Sequence, residues 1–140
     1  MEETVIVVMI KDLTTGFLDK ELACYKIKEN DNFIYNTYAI ENDGKYTIYM
    51  KLTCDKDVLD WEFNAIYDYY DYGTFEGLCT SIEEDTDCYN PTWIFSFDYS
   101  ENISETEEKI SQILKKHKEE LQSVYEAIAD KKDDYENENE

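Results

Sequence analysis

The chain contains a single histidine, His117, the side chain type best suited to proton transfer near neutral pH. It lies between Leu114 and Leu121 in a regular apolar pattern, and no serine or cysteine stands beside it in a recognisable nucleophile motif. The pattern predicts a packing role, with the ring against its neighbours and one nitrogen in water. The alternative hypothesis places His117 in a subunit interface, where its protonation would weaken self-association at acidic pH.

A run of acidic side chains supplies the oxygen ligands that calcium and magnesium prefer. It comprises Glu83, Glu84, Asp85 and Asp87, with Asn90 nearby. The spacing does not fit an EF-hand loop, because the sixth position is not glycine and no distal glutamate follows in register. We therefore expect a solvated acidic loop without a metal, and the sequence predicts no cofactor.

Motifs that indicate catalysis are missing from the sequence. It contains no glycine-rich phosphate loop, no H-E-x-x-H, no G-x-S-x-G and no dinucleotide fingerprint. Glu62, Asp68 and Asp71 could contribute to a carboxylate pair for hydrolysis, but with 34 acidic residues some will lie close by chance. A non-enzymatic protein is the leading expectation, and a small enzyme that uses carboxylates is the second alternative.

The 34 acidic and 13 basic residues give a formal charge of -21, and every basic residue is a lysine. Arginine is the residue that most often reads base edges and grips phosphates bidentately, so its absence argues against direct nucleic-acid binding. A field this negative repels phosphate backbones and anionic lipid surfaces and attracts basic proteins. A charged partner is therefore expected to be a basic protein. The lysine-rich, arginine-free composition is typical of bacteria with AT-rich genomes.

The four cysteines, Cys24, Cys54, Cys79 and Cys88, are scattered without the C-x-x-C pairs of zinc sites. We interpret them as free thiols in a reducing cytoplasm, with a disulfide between neighbouring strands as the alternative. The first residues carry two acids where a secretory signal needs positive charge, and no segment reaches the roughly 20 apolar residues that span a bilayer. The sequence thus predicts a cytoplasmic protein that does not enter a membrane.

Strands are predicted to position these side chains in the first half of the chain. Four segments have the alternation of strands, at 5–10, 17–29, 33–41 and 46–54, and "NDG" at 42–44 is typical of a hairpin turn. The first segment is apolar on both alternating sets of residues, as in a strand that is covered on both sides or lies in the middle of a sheet. We expect an antiparallel meander of these four, with further strands at 75–82 and 92–99.

The stretch "WEFNAIYDYYDYG" at 61–73 interleaves aromatic rings with carboxylates. On a helix at about 57–72 the rings cover a broad apolar face, and the acids share one narrow arc. These acids are Asp57, which is also the expected helix cap, Asp60, Asp68 and Asp71. A strand is the alternative, because the aromatic residues from Trp61 onward also alternate.

Glu62 falls inside the apolar face of this helix. Its carboxylate is expected to reach a lysine or a tyrosine hydroxyl, or to extend outward to water. A functional acid with a raised pKa is a further hypothesis for this residue.

A long C-terminal helix is predicted at about 104–131. Ser104 and Glu107 have the spacing of a capping box, and apolar residues then recur at heptad-like intervals. We name five of them the C-terminal stripe: Leu114, His117, Leu121, Val124 and Ile128. A helix of about 27 residues is roughly 40 Å long, whereas an eight-residue strand spans roughly 26 Å. The helix must therefore cross the sheet diagonally, pack on the first helix or meet the same stripe of a second copy.

Together these segments predict an α+β fold. An antiparallel sheet of about six strands is packed on one face by the short helix at about 57–72 and the long helix at about 104–131. Residues 1–131 are expected to form a single domain, and residues 132–140 an acidic, disordered tail.

The leading functional hypothesis is a small acidic module for protein–protein interaction or regulation, which forms a dimer through the C-terminal stripe. The first alternative is a nucleic-acid mimic that inhibits a basic DNA-binding protein, because four acids would line one helix. The 13 tyrosines fit an interface, although an AT-rich genome also enriches tyrosine.

Overall fold

The protein, described over residues 4–138 by a computed structural model, has the α+β architecture that the sequence predicts. Within these residues a six-stranded sheet carries helices on one face. The strands are β1 Thr4–Lys11, β2 Leu18–Ile27, β3 Ile34–Asn42, β4 Lys45–Thr53, β5 Ser81–Glu84 and β6 Thr92–Asp98. The helices are α1 Asp60–Tyr69, α2 Ile103–Ile128 and α3 Lys132–Glu138, and short 3-10 turns occupy Asp31–Phe33 and Tyr72–Phe75.

The order of the strands differs from the predicted meander. The sheet runs β2-β1-β3-β4-β6-β5, and β1 lies parallel to β3, with Ile10 beside Ala39. The other neighbouring strands are antiparallel. Because β1 is apolar on both alternating sets of residues it takes an inner position, whereas the more polar β2 forms an edge. The chain passes from that edge to the far side of β1, so the prediction of four consecutive antiparallel neighbours is wrong.

The strand predicted at 75–82 begins later than expected. Gly77 has a φ of 85°, a left-handed conformation that interrupts extended backbone and that glycine adopts at little cost. Only Ser81–Glu84 pairs with β6. Two acids that were expected in a loop, Glu83 and Glu84, therefore lie in β5.

α1 begins later than predicted, and Asp57 is not its cap. Leu59 precedes the helix, and its N–H donates to the Glu62 carboxylate at 2.9 Å, as in one half of a capping box. Asp57 instead accepts from the Asn90 side-chain amide at 3.0 Å, and the Asn90 oxygen accepts from the Val58 N–H at 3.0 Å. These bonds tie the segment before α1 to the loop before β6, so the helix begins only after it.

α2 is capped by Asn102 rather than by Ser104. The Asn102 side-chain oxygen accepts from the Glu105 N–H at 3.0 Å, which satisfies one of the free donors of the first turn. Glu107 does not close the predicted capping box. It accepts instead from the Lys26 N–H at 2.6 Å, on the edge strand β2.

α3 lies where the sequence predicts an acidic tail without structure. Residues 132–138 are helical, and residues 139–140 lie outside the described part of the chain. α3 packs against α1, where the Tyr135 hydroxyl donates to the Asp68 carboxylate at 2.8 Å. Much of the acidic end is therefore part of the folded structure.

The core lies between one face of the sheet and the helices α1 and α2. Its sheet side includes alternate residues of β4 and β6: Ile48, Met50, Leu52, Trp93, Phe95 and Phe97. Its helix side includes the whole C-terminal stripe, whose members are at most 1% exposed. The part of α2 that the sequence assigns to a second copy thus finds its packing partners within one chain.

Shortening a stripe residue should destabilise the monomer. Leu121→Ala is expected to lower the free energy of unfolding by about 2 to 5 kcal/mol, because it removes buried methyl groups and leaves a cavity. Urea denaturation followed by circular dichroism measures this change. Gln122→Ala, at the next and exposed position of α2, is the control and should change it by less than about 0.5 kcal/mol. Equal effects of the two substitutions would contradict a monomeric core at Leu121.

Candidate functional site

His117 is fully buried where α2 meets the end of α1 and strand β4. Its Nδ1 lies 2.7 Å from the Tyr70 hydroxyl, and its Nε2 lies 2.8 Å from the Thr53 carbonyl oxygen. A carbonyl oxygen only accepts, so Nε2 carries the proton and Nδ1 accepts from the Tyr70 hydroxyl. Both ring nitrogens are therefore bonded within the chain. The prediction that one of them is in water is wrong.

Aromatic rings surround the His117 imidazole. Phe33, Trp93 and Phe95 meet it edge to face, with ring centroids 5.1, 5.3 and 6.0 Å away. Loss of hydration lowers the pKa of His117 from 6.5 to about 4, although a backbone hydrogen bond and a nearby carboxylate oppose the shift. The ring is neutral at physiological pH.

The other titratable groups beside this histidine are also held in their neutral forms. Burial raises the pKa of the Cys54 thiol to about 12, and burial likewise raises the pKa of the Tyr70 hydroxyl. A protonated thiol is a poor nucleophile. The two bonds of His117 connect α2 with Tyr70, at the end of α1, and with Thr53 of β4, and the nearby Cys54 thiol is protonated at neutral pH.

The predicted acidic loop is organised by bonds within the chain. The Lys51 ammonium lies 3.0 Å from the Asp85 carboxylate, and this bond lowers the pKa of Asp85. Glu84 accepts a hydrogen bond from the Tyr72 hydroxyl, and the Asp87 N–H donates to Asp85 at 3.4 Å. Among residues 4–138 no three His, Cys, Asp or Glu side chains converge as metal ligands. These carboxylates serve mainly as acceptors for neighbouring donors.

The four acids that were expected to line one helix are exposed, but they do not share a helix. α1 contains only Asp60 and Asp68, because it begins after Asp57 and ends at Tyr69, before Asp71. Three of the four accept hydrogen bonds from elsewhere in the chain: Asp57 from Asn90, Asp68 from Tyr135 and Asp71 from the Gly73 N–H. The prediction that all four acids share one helix is therefore wrong, although all four are exposed.

Glu62 makes the contact with a lysine that the sequence predicts as one option. One carboxylate oxygen accepts from the Leu59 N–H, and the other lies 3.8 Å from the Lys56 ammonium. Both oxygens are thus engaged in starting α1 and in an ion pair.

The C-terminal stripe is not a free surface. Its five side chains are packed into the chain's own core, and close-packed interiors leave no room for the same groups of another copy. Self-association through these residues would require the core to open. A dimer therefore needs a different surface.

The face of the sheet opposite the helices forms a second apolar surface, which we name the open face. Its residues alternate with core residues along each strand and are aligned by the strand register. The apolar and tyrosine members are Val5, Val7, Met9, Tyr38, Ile40, Tyr49 and Ile94. Val5 is 55% exposed and Val7 is 44% exposed, whereas Val8, on the core side of the same strand, is 0% exposed.

Two stacked tyrosines lie at the middle of the open face. Tyr38 and Tyr49 are direct cross-strand neighbours, and their rings stack with centroids 5.2 Å apart and an interplanar angle of 12°. The Lys11 ammonium lies 5.2 Å from the centre of the Tyr38 ring. On the next strand Ser96 faces Tyr49 and bonds to Ser81 at 2.5 Å. The result is a flat aromatic surface with short polar side chains beside it.

Charges nearly balance on the open face. The strand register assigns it four lysines and three acids: Lys11, Lys26, Lys45, Lys51, Glu21, Glu83 and Asp98. The chain as a whole has a charge of -21. Nearly all of the acidic excess therefore lies on the other surfaces.

The sequence of β1 carries a signal for the open face. Val5, Val7 and Met9 form one of the two apolar sets of β1, a pattern that predicts a strand covered on both sides or one in the middle of a sheet, and β1 does take an inner position. The other set, which includes Val8, does face the core. The helices cover only that side of β1.

The cysteines are free thiols in the structure, as the sequence predicts. Cys24 is exposed and lies opposite Val7 on the open face, Cys54 is buried, and Cys79 and Cys88 are partly buried. Among the described residues no helix is long and apolar enough to cross a membrane.

Removing the Tyr70 hydroxyl should destabilise the fold. In Tyr70→Phe the His117 Nδ1 loses its donor and becomes a buried acceptor without a partner, so the free energy of unfolding should fall by about 1 to 3 kcal/mol. Urea titration at neutral pH measures the change. Tyr69→Phe, one residue earlier and 41% exposed, is the control and should have little effect. If both variants were as stable as the wild type, this hydrogen bond would not matter for folding.

Because the pKa of His117 is lowered in the folded state, the free energy of unfolding should decrease as the pH decreases. Its folded-state pKa is about 4 against an ordinary 6.5, so the stabilisation is complete above about pH 6.5 and is lost as the pH drops towards 4. The wild type should lose roughly 3 kcal/mol more than His117→Phe between those values. Urea denaturation across the range measures the difference. The acidic groups are shared by both proteins, so parallel pH profiles would contradict a buried neutral histidine.

Comparison with known proteins identifies a family but no activity. No curated protein and no solved structure matches the sequence significantly. Residues 1–136 match the model described as "Family of unknown function (DUF6762)". Because the match covers nearly the whole chain, the protein belongs to the DUF6762 family.

Proposed function

We propose that the protein is a non-enzymatic protein–protein interaction module and that its binding surface is the open face. The observation that carries the proposal is the exposure of apolar side chains, Val5 at 55% and Val7 at 44%, on the uncovered face of the sheet. Contiguous apolar surface with a polar rim marks interaction sites in soluble proteins. The charged residues of the open face lie mainly towards the strand ends and sheet edges, which suits such a rim.

The two central tyrosines support this choice of surface. Tyrosine presents a large amphipathic ring with few rotatable bonds, and it is enriched at binding hot spots. The stacking of Tyr38 on Tyr49 restrains both rings before any partner arrives. Binding would therefore cost less side-chain entropy than it would for freely rotating residues.

The state of the buried polar groups supports a non-enzymatic role. His117 has no unbonded nitrogen, and the pKa of Cys54 is raised to about 12. General acid–base catalysis needs a group that exchanges protons near the working pH and reaches the substrate. Neither side chain meets that requirement.

A cytoplasmic setting is part of the proposal. The four free cysteines support it, because thiols stay reduced there and tend to form disulfides in oxidising compartments. Exposed Cys24, on the open face, is the most accessible of them.

The nucleic-acid mimic is the second candidate, and the charge of -21 favours it. A mimic needs carboxylates spaced like phosphates along one surface. The acids near α1 support this less well, because Asp57 and Asp71 lie outside the helix and are held by donors within the chain.

A photo-reactive side chain tests the open face as a binding surface. With benzoylphenylalanine in place of Val7, irradiation of living cells that produce the protein should give a cross-linked adduct of defined mass. The same group in place of Leu59, 61% exposed at the start of α1, is the control and should give none. Adducts from both positions, or from neither, would contradict the proposed function.

A further inference from the structure

We infer that the occupant of the open face is a second copy of this chain, packed sheet against sheet. The inference rests on the proposed function, because it requires the open face to be the binding surface. The proposed dimer contact is the open face, which no helix covers. The C-terminal stripe is unsuitable because its side chains are buried in the core. Three features of the open face favour a second copy: its area, its charge balance and its shape.

The area of the open face matches what a weak, reversible dimer needs. Six strands about 4.8 Å apart, each about eight residues long, cover about 24 by 26 Å, or roughly 600 Å². The short strand β5 reduces this slightly, to about 500 to 600 Å². Two copies would bury about 1,000 to 1,200 Å², which is typical of weak or transient interfaces and just below the value of about 1,200 Å² at which stable ones begin. The face is therefore large enough for a reversible dimer.

The charge balance of the open face permits contact between identical copies. Two chains of charge -21 repel each other through any acidic surface, and carboxylates of two copies in contact would be strongly unfavourable. The open face carries similar numbers of lysines and acids, so it can meet itself without a local excess of one sign.

The shape of the open face fits sheet-on-sheet packing. Two sheets pack face to face about 10 Å apart with their strands turned by about 30°, as in a β-sandwich. Met9, Ile40 and Ile94 supply side chains of intermediate size around the flat Tyr38–Tyr49 pair. Thr47 is shorter and partly exposed, so it leaves space for a ring of the partner, whereas Ser96 is itself buried. This pattern of large and small side chains allows two copies to interdigitate.

Salt should change the affinity for a second copy and the affinity for a basic protein in opposite directions. Between about 0.1 M and about 1 M salt the Debye length falls from about 10 Å to about 3 Å. Screening weakens the repulsion between two chains of charge -21, so a homodimer should tighten as salt rises. A complex with a basic partner should weaken under the same change.

Sedimentation equilibrium of the purified full chain tests the inference. We expect the wild type to approach twice the 16.7 kDa of one chain at high protein concentration, and its dissociation constant to fall at least several-fold from about 0.1 M to about 1 M salt. Val5→Lys/Val7→Lys should be monomeric, because each copy would bring two additional positive charges into the contact. Leu59→Lys, a change of similar exposure on the helix side, should dimerise like the wild type.

Further measurements distinguish loss of the dimer from loss of the fold. They also distinguish a failure of the dimer inference from a failure of the open face as a binding surface. Ile94→Lys, on β6 across the open face, should also be monomeric, and circular dichroism should show both open-face variants folded. A monomeric wild type at all concentrations, or dimers that these substitutions leave intact, would overturn the inference. The photo-cross-link from position 7 distinguishes the failures. An adduct larger or smaller than twice the chain mass would remove the second copy but keep the open face as a binding surface.

Discussion

The hydrogen bonds of His117 connect three elements that are distant in the sequence. Its ring joins α2 to the end of α1 through the Tyr70 hydroxyl and to β4 through the Thr53 carbonyl. The rings around it exclude water, which keeps the imidazole neutral and makes each bond matter more than it would at the surface. Because α1 and α2 are both fixed by this residue, the helices stay on one face of the sheet. The other face is left open as a consequence.

Capping and turn chemistry explain where the elements begin and end. The Asn90 side chain holds the segment before α1, Asn102 starts α2, and Gly77 delays β5. Each is a short polar residue or glycine that favours a local departure from regular backbone. These residues shift boundaries by a few positions but leave the apolar faces intact. The architecture therefore depends on the periodic pattern, whereas the surface acids depend on the caps.

The fold class can be predicted from the sequence because apolar residues recur with a helical or strand period in the long elements. The stripe from Leu114 to Ile128 and the alternation of β4 each point to one buried face. Strand order is a different problem, since β1 can pair with β2 and β3 on its two sides and no local pattern distinguishes parallel from antiparallel pairing. The role of the stripe was also ambiguous, because heptad spacing fits a core seam and a dimer seam equally. The choice between them depends on where the helix lies relative to the sheet, which the sequence pattern does not give. For the same reason the pattern does not predict which face of the sheet stays uncovered.

The distribution of charge limits the contacts that an exposed apolar face can make. The acidic excess lies outside the open face and keeps chains apart at long range, so random hydrophobic contacts are suppressed. The edge strand β2, where unpaired backbone groups could recruit other strands, is partly blocked because Glu107 accepts from the Lys26 N–H. In the proposed complex, contact would be restricted to partners that approach the open face itself. For the proposed binding surface, repulsion from the acidic surfaces would favour partners whose contact with the open face is large enough to offset it.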